Sequence, residues 1–116
     1  MEEKIIEILE SFKLKNIVSY NLTSKTPLLK KMLIATLPAG ANVRKLCLEL
    51  KTELEKVFES EVYVEGEFSE DWVVFEIDDL TIELFSDEKR EFYNLEKLWG
   101  GAKTKLSEIK NKRKNK

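Results

Sequence analysis

The chain has 116 residues, 42% of them apolar and 36% charged, with a formal net charge of −2, one cysteine and no histidine. That length supports one domain with a modest core. A lone cysteine excludes an internal disulfide, and the absence of histidine excludes Ser-His and Cys-His nucleophilic sites and imidazole metal sites.

In chain order, the first element is an amphipathic helix over residues 2–12. Ile5, Ile6, Leu9 and Phe12 recur at helical spacing, and Glu3, Glu7 and Glu10 fall elsewhere on its surface. The acidic start Met1-Glu2-Glu3-Lys4 predicts neither a signal peptide nor an Arg-rich transit peptide. No apolar run approaches the ~20 residues of a membrane span, so a cytoplasmic location is expected. Ile17-Val18-Ser19-Tyr20 predicts a first strand within Leu14–Leu22. Thr23 to Pro27 reads as a turn, and Pro27 suits the start of a short helical turn through Lys30.

Lys31 to Leu37 predicts a second strand. Its nearly continuous apolar run, Met32 to Ala35, implies burial on both faces, as in an inner strand. Pro38-Ala39-Gly40 breaks it. A helix over 42–59 follows, capped by Asn42, with Val43, Leu46, Cys47, Leu50, Leu54, Val57 and Phe58 on one stripe. Cys47 on that stripe reads as a small core residue. Val62 to Glu65 is a third strand, ended by Gly66.

Trp72 to Ile77 and Leu80 to Phe85 are two aromatic and β-branched runs separated by Asp78-Asp79, short polar residues that tolerate a tight reversal. This is a hairpin. Ser86 or Asp87 then caps a helix that places Phe92, Leu95 and Trp99 on one stripe and stops at Gly100-Gly101. Ala102 to Ile109 prolongs that helix briefly. Residues 103–116 form a basic tail, with seven Lys/Arg against one Glu, read as disordered. The predicted fold is α/β with α+β mixing: a single mixed sheet of about five strands with helices mainly on one face, spanning residues 1–102.

Alternation within the hairpin separates two faces. Val73, Phe75 and Ile77 with Leu80, Ile82 and Leu84 form the core side. Trp72, Val74 and Glu76 with Thr81, Glu83 and Phe85 form the other. That second side is either an interface to a basic partner or a surface covered by a helix or by the tail. Residues 61–91 hold 12 acids against Lys89 and Arg90. An acidic body with a basic tail suits a basic protein and RNA respectively; it also suits a simply soluble surface with a solvated end. Asp78-Asp79 reads as turn chemistry, no phosphate-cradling glycine loop follows a strand, and Glu76 with Glu83 is a weak acid–base pair. Neither an enzyme nor a cofactor is predicted.

Asp71-Trp72-Val73-Val74, Asp79, Phe85 and the run Arg90-Glu91-Phe92-Tyr93-Asn94-Leu95-Glu96-Lys97-Leu98-Trp99 resemble the ribosomal silencing factor (Iojap-like) family. Asn16-Ile17-Val18 with Leu22, Leu33-Ile34-Ala35-Thr36 and Val64-Glu65-Gly66 extend the resemblance over roughly residues 14–99. It implies a scaffold related to nucleotidyltransferases, without their chemistry. It also implies binding to the large ribosomal subunit through its ribosomal protein fourteen, a steric block to joining of the small subunit, repression of translation or guarding of subunit assembly, and a homodimer through the hairpin edge when free.

On that resemblance Trp72, Val74 and Phe85 would supply apolar contacts, and Glu76, Asp79, Glu83 and Glu88 would pair with basic partner residues. A tail-led alternative is ribosome assembly or RNA binding through Lys110, Lys112, Arg113 and Lys114. The chain departs from the family pattern at Leu29-Lys30-Lys31, Leu37, Asp78, Glu83 and Ser86. Glu83 stands where the family carries histidine.

Overall fold

A computed structural model describes residues 2–21, 31–93 and 103–104. Among these residues there are three helices and one mixed sheet, in the order α1 (Glu2–Ser11), β1 (Lys15–Asn21), β2 (Lys31–Thr36), α2 (Val43–Phe58), β3 (Tyr63–Glu65), β4 (Trp72–Ile77), β5 (Leu80–Phe85), α3 (Asp87–Tyr93) and β6 (Lys103–Thr104). The sheet runs β3-β4-β5-β2-β1-β6. Only β2 and β5 are parallel; the other neighbours are antiparallel. The helix from Ser86 is described as far as Tyr93, so Leu95, Trp99 and the Gly100-Gly101 stop lie outside the described residues, as does the short turn at Pro27–Lys30.

Periodicity explains the main layer. The apolar stripe of α1 (Ile5, Ile6, Leu9) and that of α2 (Val43, Leu46, Cys47, Leu50, Leu54) pack with Leu33 and Ala35 of β2, Val73, Phe75 and Ile77 of β4, and Leu80, Ile82 and Leu84 of β5. Each fully buried aliphatic or aromatic side chain here contributes roughly 1.5–3 kcal/mol, so this layer dominates the fold's stability. Cys47 lies within it; burial, reinforced by the negative charge of Glu67, pushes its thiol up to about 11, which keeps it an unreactive core residue. The Asn42 side chain accepts a hydrogen bond from the Lys45 amide at 3.1 Å and caps α2.

Continuous burial of β2 follows from its position between β1 and β5 and from apolar cover on both sides. On the side away from α1 and α2, Tyr20, Met32, Ile34 and Phe85 form a second, smaller core with Val18 packed against it. The helices alone therefore do not account for all the buried surface. At Lys103–Thr104 the sequence suggests helix, but the chain pairs in antiparallel register with Tyr20 and Ser19. Two residues are too few to carry a periodicity, so this edge strand leaves no sequence signal.

Candidate protein-interaction face

The β4–β5 hairpin places the predicted residues. Asp78 takes the left-handed φ of +51° that a two-residue reversal requires, and the Ser60 hydroxyl donates to its carboxylate at 3.0 Å. The resulting register sets Trp72 opposite Phe85, Val74 opposite Glu83, and Glu76 opposite Thr81. Continuing across the sheet, Glu65 faces Val74, Tyr63 faces Glu76, and Ile34 faces Glu83. Trp72, Val74, Glu76 and Glu83 therefore share one side, opposite the helix layer, with Tyr63 and Glu65 beside them.

Trp72 is the exposed apolar centre of this side, at 41%. Its ring stacks on Phe85, with centroids 5.5 Å apart and planes 21° apart. Its indole N–H donates to Glu83 Oε1 at 3.2 Å. Burial pushes the Glu83 carboxyl up from the usual glutamate value, opposed by the weaker lowering effect of the Trp72 hydrogen bond.

Gly66 fixes the backbone behind Trp72. It sits at φ +88°, and an added Cβ would run into the Trp72 carbonyl oxygen. Ser69 Oγ accepts from the amides of Asp71 at 3.1 Å and Trp72 at 3.4 Å, which holds the start of the strand.

Phe85 departs from the sequence expectation. It shares the outward side with Trp72 but has no exposed surface. It is enclosed in the second core, so it supports Trp72 from below and presents nothing to a partner. Alternation assigns a side chain to a face; it does not reveal that the face is itself partly roofed.

The remaining predicted acids divide. Glu76 is exposed on the same side as Trp72. Asp79 is exposed at the hairpin turn, at the other end of the strands, roughly 20 Å along β5 from Phe85 at ~3.3 Å per residue; its carbonyl accepts from the Lys31 amide. Glu88 lies in the first turn of α3 and lines a cleft of about 480 Å³ with Leu37, Gly40, Glu70, Asp71 and Asp87. Trp72 does not line that cleft.

Ser86, between that cleft and the patch, caps α3. Its hydroxyl donates to Asp71 at 3.0 Å and accepts from the Lys89 amide at 3.3 Å. Arg90 ties α3 to the sheet, donating to Thr36 Oγ1 at 2.9 Å and to the carbonyl of Asn16 at a bulge in β1.

Sequence reading missed two exposed aromatics. Tyr63 is 61% exposed beside Glu76, and the inward placing of Val62 and Val64 was the signal for it. Phe68 is 74% exposed under the Arg44 guanidinium, 4.9 Å from the ring centre. A short loop with no periodicity offered no signal. Lys110, Lys112, Arg113 and Lys114 lie outside the described residues. Among the described residues no group of three or more His, Cys, Asp or Glu is arranged to hold a metal, and no helix is long and apolar enough to cross a membrane.

The family model described as "Ribosomal silencing factor during starvation" matches residues 1–116. A Chromobacterium violaceum protein named ribosomal silencing factor RsfS is 31% identical over 98 residues, covering 84% of this chain and 80% of that protein. The Haemophilus influenzae protein of the same name is 29% identical over 97 residues, covering 84% and 95%. A crystal structure of a Chromobacterium violaceum protein superposes with a TM-score of 0.74 at 27% identity, over 85% of this chain and 84% of that one. A Bacillus halodurans structure gives 0.64 at 25% identity, over 88% and 93%. The hairpin, the helix after it and the match along the whole length agree: this chain belongs to the ribosomal silencing factor family.

Proposed function

We propose that this chain represses translation by binding the large ribosomal subunit through that subunit's ribosomal protein fourteen and sterically blocking the small subunit from joining. Family membership supports the ribosome as partner. The observation that carries the binding mode is Trp72: a large apolar side chain 41% exposed, backed by a buried ring and hydrogen-bonded to Glu83, on a side of the sheet it shares with Glu65 and Glu76. Desolvated aromatic anchors with charged rims are the usual energetic centre of a protein interface, and the acids on that side suit a basic ribosomal protein. No bond is made or broken; occupancy of a shared surface is the whole mechanism. A cytoplasmic, ribosome-bound location follows from it.

The test is cosedimentation with separated large subunits, followed by addition of small subunits. Trp72→Ala should lose binding by about thirtyfold or more, the effect of truncating an interface hot spot, while keeping the wild-type circular dichroism. Binding equal to wild type would reject the face; unhindered subunit joining in the presence of bound protein would reject the silencing role.

The basic tail supports a second reading, an RNA contact during ribosome assembly through Lys110, Lys112, Arg113 and Lys114. Because Lys103 and Thr104 pair with β1, a truncation that separates the readings must fall after Thr104. A tail-led mode disappears with that truncation and weakens steeply with salt. A sheet-led mode survives it.

A further inference from the structure

Glu83 differs from the exposed acids of this chain in where its carboxylate sits. It stands on the outward side of β5 between Val74 and Ile34, with Ile34 fully buried and Trp72 leaning over it. A carboxylate offers about four lone-pair sites, and the indole fills one of them. Arg90, the guanidinium that reaches Thr36 on this side, is occupied with Thr36 and the Asn16 carbonyl.

We infer that Trp72 and Glu83 form a receptor for one arginine side chain of a basic protein partner, with the guanidinium lying on the exposed indole and donating to the remaining lone pairs of the carboxylate. The inference rests on the reading of this side as the ribosome-facing surface, and adds to it the chemistry of the group received.

Three observations converge on a guanidinium. First, a partner that covered Glu83 with apolar surface would complete the desolvation of a carboxylate already pushed toward its neutral form by burial, and a buried charge is tolerated only when paired. Second, the indole is stacked on Phe85 and still 41% exposed, so aromatic surface remains beside the carboxylate, where a cation is attracted by the ring. Third, only arginine combines both contacts: its planar, weakly hydrated head stacks on a ring while its fork of N–H groups meets a carboxylate, whereas a lysine ammonium is a strongly hydrated point charge. The same-side acids Glu65 and Glu76 add negative potential around the site, which excludes a phosphate backbone as its occupant and favours a protein.

The experiment is cosedimentation of wild type, Glu83→Gln, Glu83→Asp and Trp72→Ala with purified large subunits at one ionic strength. Glu83→Gln keeps the shape and the acceptor for the indole but removes the charge, and should lose binding about thirtyfold or more, as expected for one partner of a desolvated interfacial charge pair. Glu83→Asp keeps the charge but withdraws it from the ring, and should fall between that variant and wild type. N-acetyl-L-arginine amide should compete with wild-type binding more strongly than the matching lysine amide.

If Glu83→Gln binds like wild type while Trp72→Ala does not, the arginine receptor is wrong and the reading of the face stands. If Trp72→Ala also binds like wild type, the reading of the face fails and the receptor with it. Equal competition by the two amides overturns the assignment to a guanidinium.

Discussion

The indole of Trp72 stacks on the ring of Phe85 at 5.5 Å, joining an exposed residue to one with no accessible surface. The pair links the second core to the outer surface, so packing and presentation are coupled. In a double-mutant cycle with Trp72→Ala and Phe85→Leu, denaturant unfolding should show a coupling of about 0.5–1.5 kcal/mol, the range for aromatic pairs. A coupling of zero would mean that the two rings act independently. Phe85→Ala, which also opens a cavity, should destabilise by about 3–5 kcal/mol.

Glu83 should make the free protein more stable in acid than its position on a sheet surface suggests. Its carboxyl binds a proton more tightly folded than unfolded, because burial disfavours the charged form. The stability this group contributes is complete below the usual glutamate value of 4.5 and is lost as pH rises through the raised folded-state value. Glu83→Gln should therefore melt slightly above wild type at neutral pH, with the difference shrinking toward pH 4.5. Thermal melts across that range check this; a glutamine variant less stable at neutral pH would show that the bond from Trp72 to the charged form outweighs burial.

Gly66 and Gly40 both have left-handed backbones, at φ +88° and +73°, but only at Gly66 would a Cβ meet anything, the Trp72 carbonyl. Gly40→Ala should cost about 1–2 kcal/mol, the conformational penalty alone. Gly66→Ala should cost roughly 1–3 kcal/mol more, because the start of β4 must also shift. Urea unfolding of the two variants gives the comparison directly, and equal losses would show that the loop yields without strain.

Much of the fold was legible because it is written in periods. The hairpin limits, Trp72–Ile77 and Leu80–Phe85, coincide with the two aromatic and β-branched runs, and α2 at Val43–Phe58 lies one residue inside the predicted helix at each end. Ser86 proved to be the cap of α3, as a serine before acidic residues suggests.

Long-range contacts were less legible. The burial of Phe85 depends on Tyr20 and Met32 from strands far away in sequence, and the hydrogen bond from Trp72 to Glu83 depends on register and rotamer. The apolar alternation fixed the side on which Trp72 sits. It carried no information on which acid its nitrogen would choose.

The edge strand at Lys103–Thr104 has an electrical consequence. It fastens Lys103 and Thr104 to β1, four strand spacings, roughly 19 Å, from β4 and its Glu76. A lysine anchored on the edge strand at that distance from a glutamate of β4 contributes a fixed dipole across the sheet. A particle with its own strong field exerts a torque on such a dipole during approach, so the protein turns before it touches and more of its collisions arrive in one orientation.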